Sequence, residues 1–398
     1  MKKLSSRINA LAPSLTVSIT TRAAERKAAG EDIISLSAGE PDFDTPDHIK
    51  QAAIEAIQQG YTKYTAPAGI FELRQAVCAR LLKDHGINYS PEQVVITAGA
   101  KQAVYFAIRC LCEPGDEFII PSPYWVTYPE LVKLAGGHPV FLPCAAEQNF
   151  MPHPAALREA ITPRTKALII NHPCNPTGTL YSKEILNQLS EIVIQHDLYV
   201  ISDEIYEKII YGGNQFISLA GINAEMQQRT ILINGLSKAY AMTGWRVGFL
   251  AANPAISKTI ANLQAQCTHH PSSISQKAAV TALNEDQSFI KQMVKEFSER
   301  RKWVLDFLAD IPELPCSVPQ GAFYVFPDFS RYYGKKFGSR KIKDSLEMAD
   351  YLLQEEGVAL VPGAAFGNDR CLRISYATSQ ANLEKGLTRI RSGLKKLK

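Results

Sequence analysis

Lys238 is the residue of this sequence best placed to act as a nucleophile. It follows the β-branched run Thr230 to Asn234 within Asn234-Gly235-Leu236-Ser237-Lys238-Ala239-Tyr240-Ala241-Met242-Thr243-Gly244-Trp245-Arg246, and Val247 then opens another apolar run. A lysine among Ser, Ala, Tyr and Met is poorly hydrated. Desolvation disfavours the ammonium form, lowers the pKa and leaves a nucleophilic amine. Arg246 adds a fixed cation beside it.

Four further segments place polar groups after apolar runs. In Tyr199-Val200-Ile201-Ser202-Asp203-Glu204-Ile205-Tyr206 an apolar strand delivers an acid at its carboxyl end, with Tyr206 one turn further on if a helix starts there. Taken alone, Asp203 is read as an N-cap in preference to a ligand-binding acid. In Asn171-His172-Pro173-Cys174-Asn175-Pro176-Thr177-Gly178 the prolines and the glycine make a rigid loop able to aim the Asn175 amide. Thr97-Ala98-Gly99-Ala100-Lys101 is a strand-to-helix junction of small residues, whose free amides suit a phosphate. It is neither a Walker loop nor a GxGxxG turn, so no nucleotide site follows from it, and a nicotinamide dehydrogenase is disfavoured. Pro121-Ser122-Pro123-Tyr124-Trp125 sets aromatic rings after another strand, where one could stack on a flat ligand. An amine, a carboxylate, a phenol, an amide, a phosphate cradle, an arginine and an aromatic ring at successive strand ends make up the inventory that a pyridoxal 5′-phosphate site requires.

The elements that must carry these groups follow from periodicity. Val94–Ile96, Glu117–Ile120, Pro139–Leu142, Ala167–Asn171, Leu198–Ser202, Thr230–Asn234 and Val247–Ala251 read as short strands. Amphipathic stretches such as Ala100–Leu111 and Ser182–His196 lie between them, with Ser182 as N-cap. This alternation predicts an α/β fold with a mostly parallel seven-stranded sheet buried between helices. After about residue 285 the texture changes to a long helix over 286–308, then Phe323–Phe326, a helix over Ser345–Glu356, Val358–Val361, Leu372–Ser375 and a closing helix from Ser379. The expected division is a large domain, 46–285, and a smaller α+β domain of residues 1–45 and 286–398.

The bulk composition excludes several classes. The chain has 398 residues, 46% hydrophobic and 21% charged, which is ordinary for a globular protein with its own core. Lys plus Arg is 43 and Asp plus Glu is 39, a net +4, too balanced to predict nucleic-acid binding. The N-terminus has no uninterrupted apolar stretch of the signal-peptide kind, and no apolar run is long enough to span a membrane. The eight cysteines show no CxxC pair and no zinc-type spacing. Buried thiols in a reducing compartment, and hence a cytoplasmic location with no metal site, are the expectation.

The chain resembles the fold-type I pyridoxal-phosphate aminotransferases of class I, most closely their bacterial subgroup Ib aspartate aminotransferases. The resemblance spans the whole chain. It rests on Ser37-Ala38-Gly39-Glu40-Pro41-Asp42-Phe43, Lys63-Tyr64-Thr65, Asn175-Pro176-Thr177-Gly178, Asp203-Glu204-Ile205-Tyr206, Ser237-Lys238 through Gly244-Trp245-Arg246-Val247-Gly248, and Arg373-Ile374-Ser375. It implies that Lys238 links covalently to the cofactor and then serves as general base and acid. It implies that Asp203 pairs with the ring nitrogen, that Tyr206 and Asn175 bond the phenolate oxygen, and that Trp125 stacks on the ring. Arg246, Ser237 and the turn at Gly99, Ala100 and Lys101 would hold the phosphate, together with Tyr64 reaching in from a second subunit. A homodimer with shared sites is implied in turn. Arg373 would clamp the substrate α-carboxylate, flanked by Gly39, Asn175 and Trp125. Lys101, with a hydroxyl near Ser14 or Thr16, would read a side-chain carboxylate. The implied activity moves the amino group of L-aspartate to 2-oxoglutarate, giving oxaloacetate and L-glutamate by a ping-pong route; the alternative is the same chemistry with an aromatic amino acid, prephenate or glutamate, kynurenine or alanine as donor. With Lys238, Asp203 and Arg373 all in place, a catalytically idle regulator is not expected.

Three positions depart from the family's usual pattern. Gly235 stands where many class I enzymes carry a phosphate-binding serine. His269-His270-Pro271 stands in place of a Ser-Asn-Pro-like segment, where a histidine could alter pH dependence or substrate choice, or simply form a surface pair. Ala12 leaves the N-terminal segment without the charge some relatives use to accept prephenate, which counts against that side activity.

Overall fold

The computed structural model describes residues 4–13 and 15–398. Its centre is a seven-stranded sheet: β1 (Val94–Thr97), β2 (Glu117–Ser122), β3 (His138–Pro143), β4 (Thr165–Asn171), β5 (Tyr199–Asp203), β6 (Thr230–Gly235) and β7 (Gly248–Ala251). The spatial order is β1-β7-β6-β5-β4-β2-β3. All seven expected strands are present, extended by a residue or two at their ends or, for β5 and β7, shifted or trimmed by one. The sheet is parallel except at β7, which runs antiparallel to both β1 and β6. The turn bearing Lys238 and Arg246 is therefore short: it reverses the chain instead of crossing over through a helix.

The sheet is apolar where it is covered. Ala167 to Asn171 of β4 and all of β6 are buried, as expected for strands between two helical layers. β3 differs from the reading of fully buried strands. It is an edge strand with only Leu142 buried, and its Pro139 and Pro143 lack the N–H that a further neighbour would need. The helix Ala100–Leu111 follows β1 directly and buries Ala103, Val104, Phe106, Ala107, Ile108 and Leu111 against the sheet. The helix Lys183–Gln195 packs on the opposite face of the sheet through Leu186, Leu189, Ile192 and Val193, against Ile119, Leu168, Ile170 and Val200; Ser182 Oγ accepts the Ile185 N–H at 3.3 Å, the N-cap expected there.

The C-terminal third builds a second sheet, Val361–Pro362, Leu372–Ser375 and Tyr324–Val325, all antiparallel. Val358–Val361, read as one strand, is two short pieces in different sheets: Val358–Ala359 pairs in parallel with Ile34–Ser35 near the N-terminus. The segment bearing Ser37 and Gly39 thus runs from that pairing toward the main sheet. The helix Ser288–Ala309 places Ile290 in the core beside β1 and β7, and Met293, Phe297, Val304 and Leu308 in the core of the C-terminal unit. Among the described residues, no helix is long and apolar enough to cross a membrane.

Candidate active site

β1, β2, β4, β5 and β6 all point their carboxyl ends to one edge of the sheet, and the amino end of β7 joins them there. A cavity of about 460 Å³ opens at this edge. Lys238, Asp203, Tyr206, Asn175, Trp125, Ser237, Arg246, Ala100, Lys101, Gly39 and Arg373 all line it, and so does Thr16. Residues from six strand ends, the N-terminal segment and the C-terminal unit are thereby gathered in one space. Ser14 lies outside the described residues.

Asp203 is 4% exposed. The Tyr128 hydroxyl donates to its Oδ2 at 2.7 Å, and the Ile205 N–H donates to its Oδ1 at 3.2 Å. Asp203 therefore closes a tight turn through Oδ1 and is not the N-cap of a helix, while Oδ2 is held by Tyr128. No helix starts there; Tyr206 is carried on a turn. Burial pushes the carboxyl up to about 6, against the two hydrogen bonds and the Lys238 charge, which hold it back. Burial acts oppositely on Lys238 and brings its amine down to about 8; Arg373 and Arg246 lower it further, whereas Glu40 and Asp203 raise it. Lys238 Nζ donates to the Gly39 carbonyl at 2.6 Å.

Arg373 is 3% exposed and comes from the C-terminal sheet. Its Nη1 donates to Asn175 Oδ1 at 2.9 Å and its Nη2 to the Ser37 carbonyl at 2.7 Å, while Nε is buried without a partner. The guanidinium lies 4.4 Å from the Tyr324 ring centroid, and the Tyr324 hydroxyl meets that of Tyr206 at 2.9 Å. A buried, incompletely satisfied guanidinium with a fixed plane is a receptor for a carboxylate. Lys101 Nζ sits 5.2 Å over the Trp125 ring; burial and then the Arg246 charge lower its pKa.

Gly99 does not line the cavity but shapes it. Its φ is +84°, and a Cβ there would stand 2.5 Å from Arg246 Nη2. Only glycine lets the chain turn into the helix and lets the guanidinium lie against the backbone. Arg246 itself donates to the Thr243 and Ala98 carbonyls at 2.9 and 3.2 Å. A Cβ on Gly235 would come within 3.0 Å of Gly248 Cα and the Val247 carbonyl, so the strand crossing leaves little room for a serine there.

Tyr64 is not brought into the cavity of its own chain. It is 87% exposed, and its ring packs edge-on against His269 and His270, at centroid distances of 5.1 and 5.8 Å. His270 Nε2 accepts the Thr65 N–H at 3.1 Å and Nδ1 lies 2.7 Å from the Pro271 carbonyl, so the proton sits on Nδ1. The unusual His-His pair thus supports the Tyr64 segment.

The sequence reading missed Tyr128, Asn171, Ser37, Val17, Thr20, Thr21 and Ile205, which also line the cavity. Two had a signal. Tyr128 lies three residues after Trp125, and Asn171 ends β4 directly opposite Asp203 in register. Asn171 Nδ2 donates to the Asp203 carbonyl and its Oδ1 accepts the Asn175 N–H, at 3.0 and 2.9 Å. The contribution of the helix Leu15–Ala28 depends on chain packing that no local pattern reveals. Among the described residues, no cluster of His, Cys, Asp or Glu is placed to hold a metal.

Residues 31–390 match the family model described as aminotransferase class I and II. The chain is 43% identical to the aspartate aminotransferase of Bacillus subtilis over 99% of both chains. It is 45% identical to a bifunctional aspartate aminotransferase and glutamate/aspartate-prephenate aminotransferase of Petunia hybrida, over 99% of this chain and 83% of the relative. The crystal structure of the aspartate aminotransferase of Rhizobium meliloti superposes with a TM-score of 0.96 at 42% identity, covering all of both chains. Family match, whole-length identity and backbone superposition agree with a cavity built around a partly buried lysine, and the chain belongs to the class I and II aminotransferases.

Proposed function

We propose that the protein transfers the amino group of L-aspartate to 2-oxoglutarate with pyridoxal 5′-phosphate as cofactor. The observation that carries this reading is the cavity itself, in which a partly buried amine with its pKa brought to about 8 shares one space with three cations, Arg246, Arg373 and Lys101.

The residues present fit the cofactor. The glycine turn at Gly99 lays Arg246 against the first, unpaired amides of the helix Ala100–Leu111, a donor set suited to a phosphate dianion. Ser237 and Trp125 line the same space. The bound cofactor would supply an electrophilic carbonyl carbon and an electron-accepting aromatic ring. The chain's residues do the rest. Lys238 Nζ holds the cofactor and, once freed, takes the proton from Cα of the bound amino acid. Asp203, fixed by Tyr128 and the Ile205 amide, keeps the ring nitrogen protonated. Tyr206 and Asn175, which line the same cavity, would hydrogen-bond the phenolic oxygen of the cofactor. Arg373 and Gly39 hold the α-carboxylate, and Lys101, with Thr16, takes the side-chain carboxylate. The exposure of Tyr64 supports a homodimer in which that ring serves the phosphate site of the partner. The division into residues 46–285 and residues 1–45 with 286–398 then sets the cavity between two domains.

The test is the visible absorption spectrum of the cofactor-loaded protein. L-Aspartate is expected to remove the band of the loaded enzyme and 2-oxoglutarate to restore it. A band that ignores aspartate but falls with tyrosine or alanine discards the substrate and keeps the chemistry. Absence of any band after incubation with the cofactor discards the reading.

A further inference from the structure

Behind the cavity, on the far side of the turn that follows β5, lies a cluster of charged side chains that the proposed chemistry does not use. His85 ends the helix Phe71–His85, and its Nε2 makes a close contact with Glu207 Oε2. The two side chains are 10% and 11% exposed. Glu207 directly follows Tyr206 in the chain. Asn234, whose side chain helps keep the Glu207 carboxylate charged and whose Oδ1 accepts the Gly235 N–H at 2.7 Å, lines the same small cavity as Glu207 and His85. One carboxylate thus joins a helix end, the turn bearing Asp203 and Tyr206, and the start of the turn bearing Lys238.

The groups around it reinforce the arrangement. Lys208 reaches Asp84 at 2.5 Å, and Arg80 reaches the same carboxylate at 3.0 Å. Glu204, fully buried, accepts from Ser202 and Ser218 at 2.8 and 2.7 Å. The Phe216 ring packs edge-on against His85 at 5.3 Å and stacks at 4.8 Å on His172, the residue after Asn171. His85 is therefore faced by Glu207, Glu204 and Lys208 from the turn, by Asp84 and Arg80 of its own helix, and by the Phe216 ring. A shielded ion pair of this kind is a weak source of stability, since desolvation offsets most of the attraction. Its geometry is nevertheless strict, because breaking it strands a buried charge.

We infer that His85 and Glu207 are positioning residues, which set the turn carrying Asp203 and Tyr206 against the turn carrying Lys238. They touch neither cofactor nor substrate and act through Asn234 and the backbone of the two turns. The inference rests on Lys238 being the reactive amine.

The experiment compares His85→Leu, His85→Gln and Glu207→Gln with the wild-type holoenzyme. Wild type comes first: a protein with no cofactor band, or one that does not transaminate, sinks the functional reading and not this one. In a working enzyme, His85→Leu is expected to lower kcat by ~10-fold or more with KM for aspartate within ~2-fold, because misplaced groups cost turnover more than binding. It is also expected to move the pH midpoint of the holoenzyme's visible absorption change by about half a unit or more, since a strained or unpaired carboxylate behind the Lys238 turn alters that amine's surroundings. His85→Gln, which keeps an N–H donor for Glu207, is expected to recover most of both effects. Glu207→Gln, which keeps the side-chain volume and the Asn234 contact, is expected to shift the midpoint even if His85→Leu fails to fold. Wild-type kcat and midpoint in His85→Leu or Glu207→Gln, whatever their Tm, would overturn the inference. So would equal impairment of the leucine and glutamine variants.

Discussion

Arg373 Nη1 donates to Asn175 Oδ1 at 2.9 Å across 198 residues of sequence. The guanidinium belongs to the C-terminal sheet and the amide to the loop after β4, so the bond ties the C-terminal unit to the main sheet at the cavity. It also orients both partners: with Oδ1 engaged by Arg373, the Asn175 amide NH₂ is free to donate toward a ligand.

Arg373→Lys is the first variant to make. An ammonium cannot form the planar fork, nor satisfy both Asn175 Oδ1 and the Ser37 carbonyl while gripping a carboxylate. The expected outcome is a loss of ~100-fold in kcat/KM for aspartate, about 2.7 kcal/mol. Steady-state kinetics measure it.

Lys101→Ala tests the reader of the second carboxylate. In the lysine's place the variant leaves the Trp125 ring uncovered and the cavity short of one cation. KM for aspartate and 2-oxoglutarate should rise by ~10-fold or more, and KM for a neutral amino acid should change by less than about twofold, because only the dicarboxylates lose an ion pair. Equal changes for both substrate types would remove Lys101 from this role.

Tyr128→Phe separates the pH dependence of Asp203 from its presence. Without cofactor, burial holds the Asp203 carboxyl up at about 6; a protonated ring nitrogen beside it would favour the charged form and lower that value. The Tyr128 hydroxyl favours that form, so removing it raises the pKa. A hydrogen bond to a charged group is worth ~1.5 kcal/mol, which corresponds to an upward move of about one unit in the acid limb of kcat/KM. Activity well above the limb should be nearly unchanged. A limb that stays put, read from the pH–rate profile, would show that another group sets it.

Gly99→Ala probes the phosphate end. The backbone there has φ +84°, and the new methyl would meet Arg246 Nη2 at 2.5 Å. Strain and displacement of the guanidinium should weaken cofactor affinity by ~10-fold or more. A fluorescence titration of the stripped protein measures this, with Tm as the control for folding.

The sequence by itself determined a good deal. Apolar β-branched runs bounded by Gly, Pro, Asp and Asn are local signals, and they located every strand of the main sheet. Catalytic groups at strand ends were legible for the same reason, since chain direction alone puts Asp203, Asn175 and Lys238 on one edge. The tertiary structure decided what no local pattern encodes. It placed β3 at the edge and β7 antiparallel, because pairing partners are set by long-range packing. It supplied Tyr128 to Asp203 and Asn175 to Arg373 by bringing together positions 75 and 198 residues apart. It left Tyr64 on the outside, braced by two histidines. And it set the two perturbed pKa values, because a polar sequence neighbourhood says little about water access, whereas burial in a shared cavity pushes a carboxyl up and an amine down together.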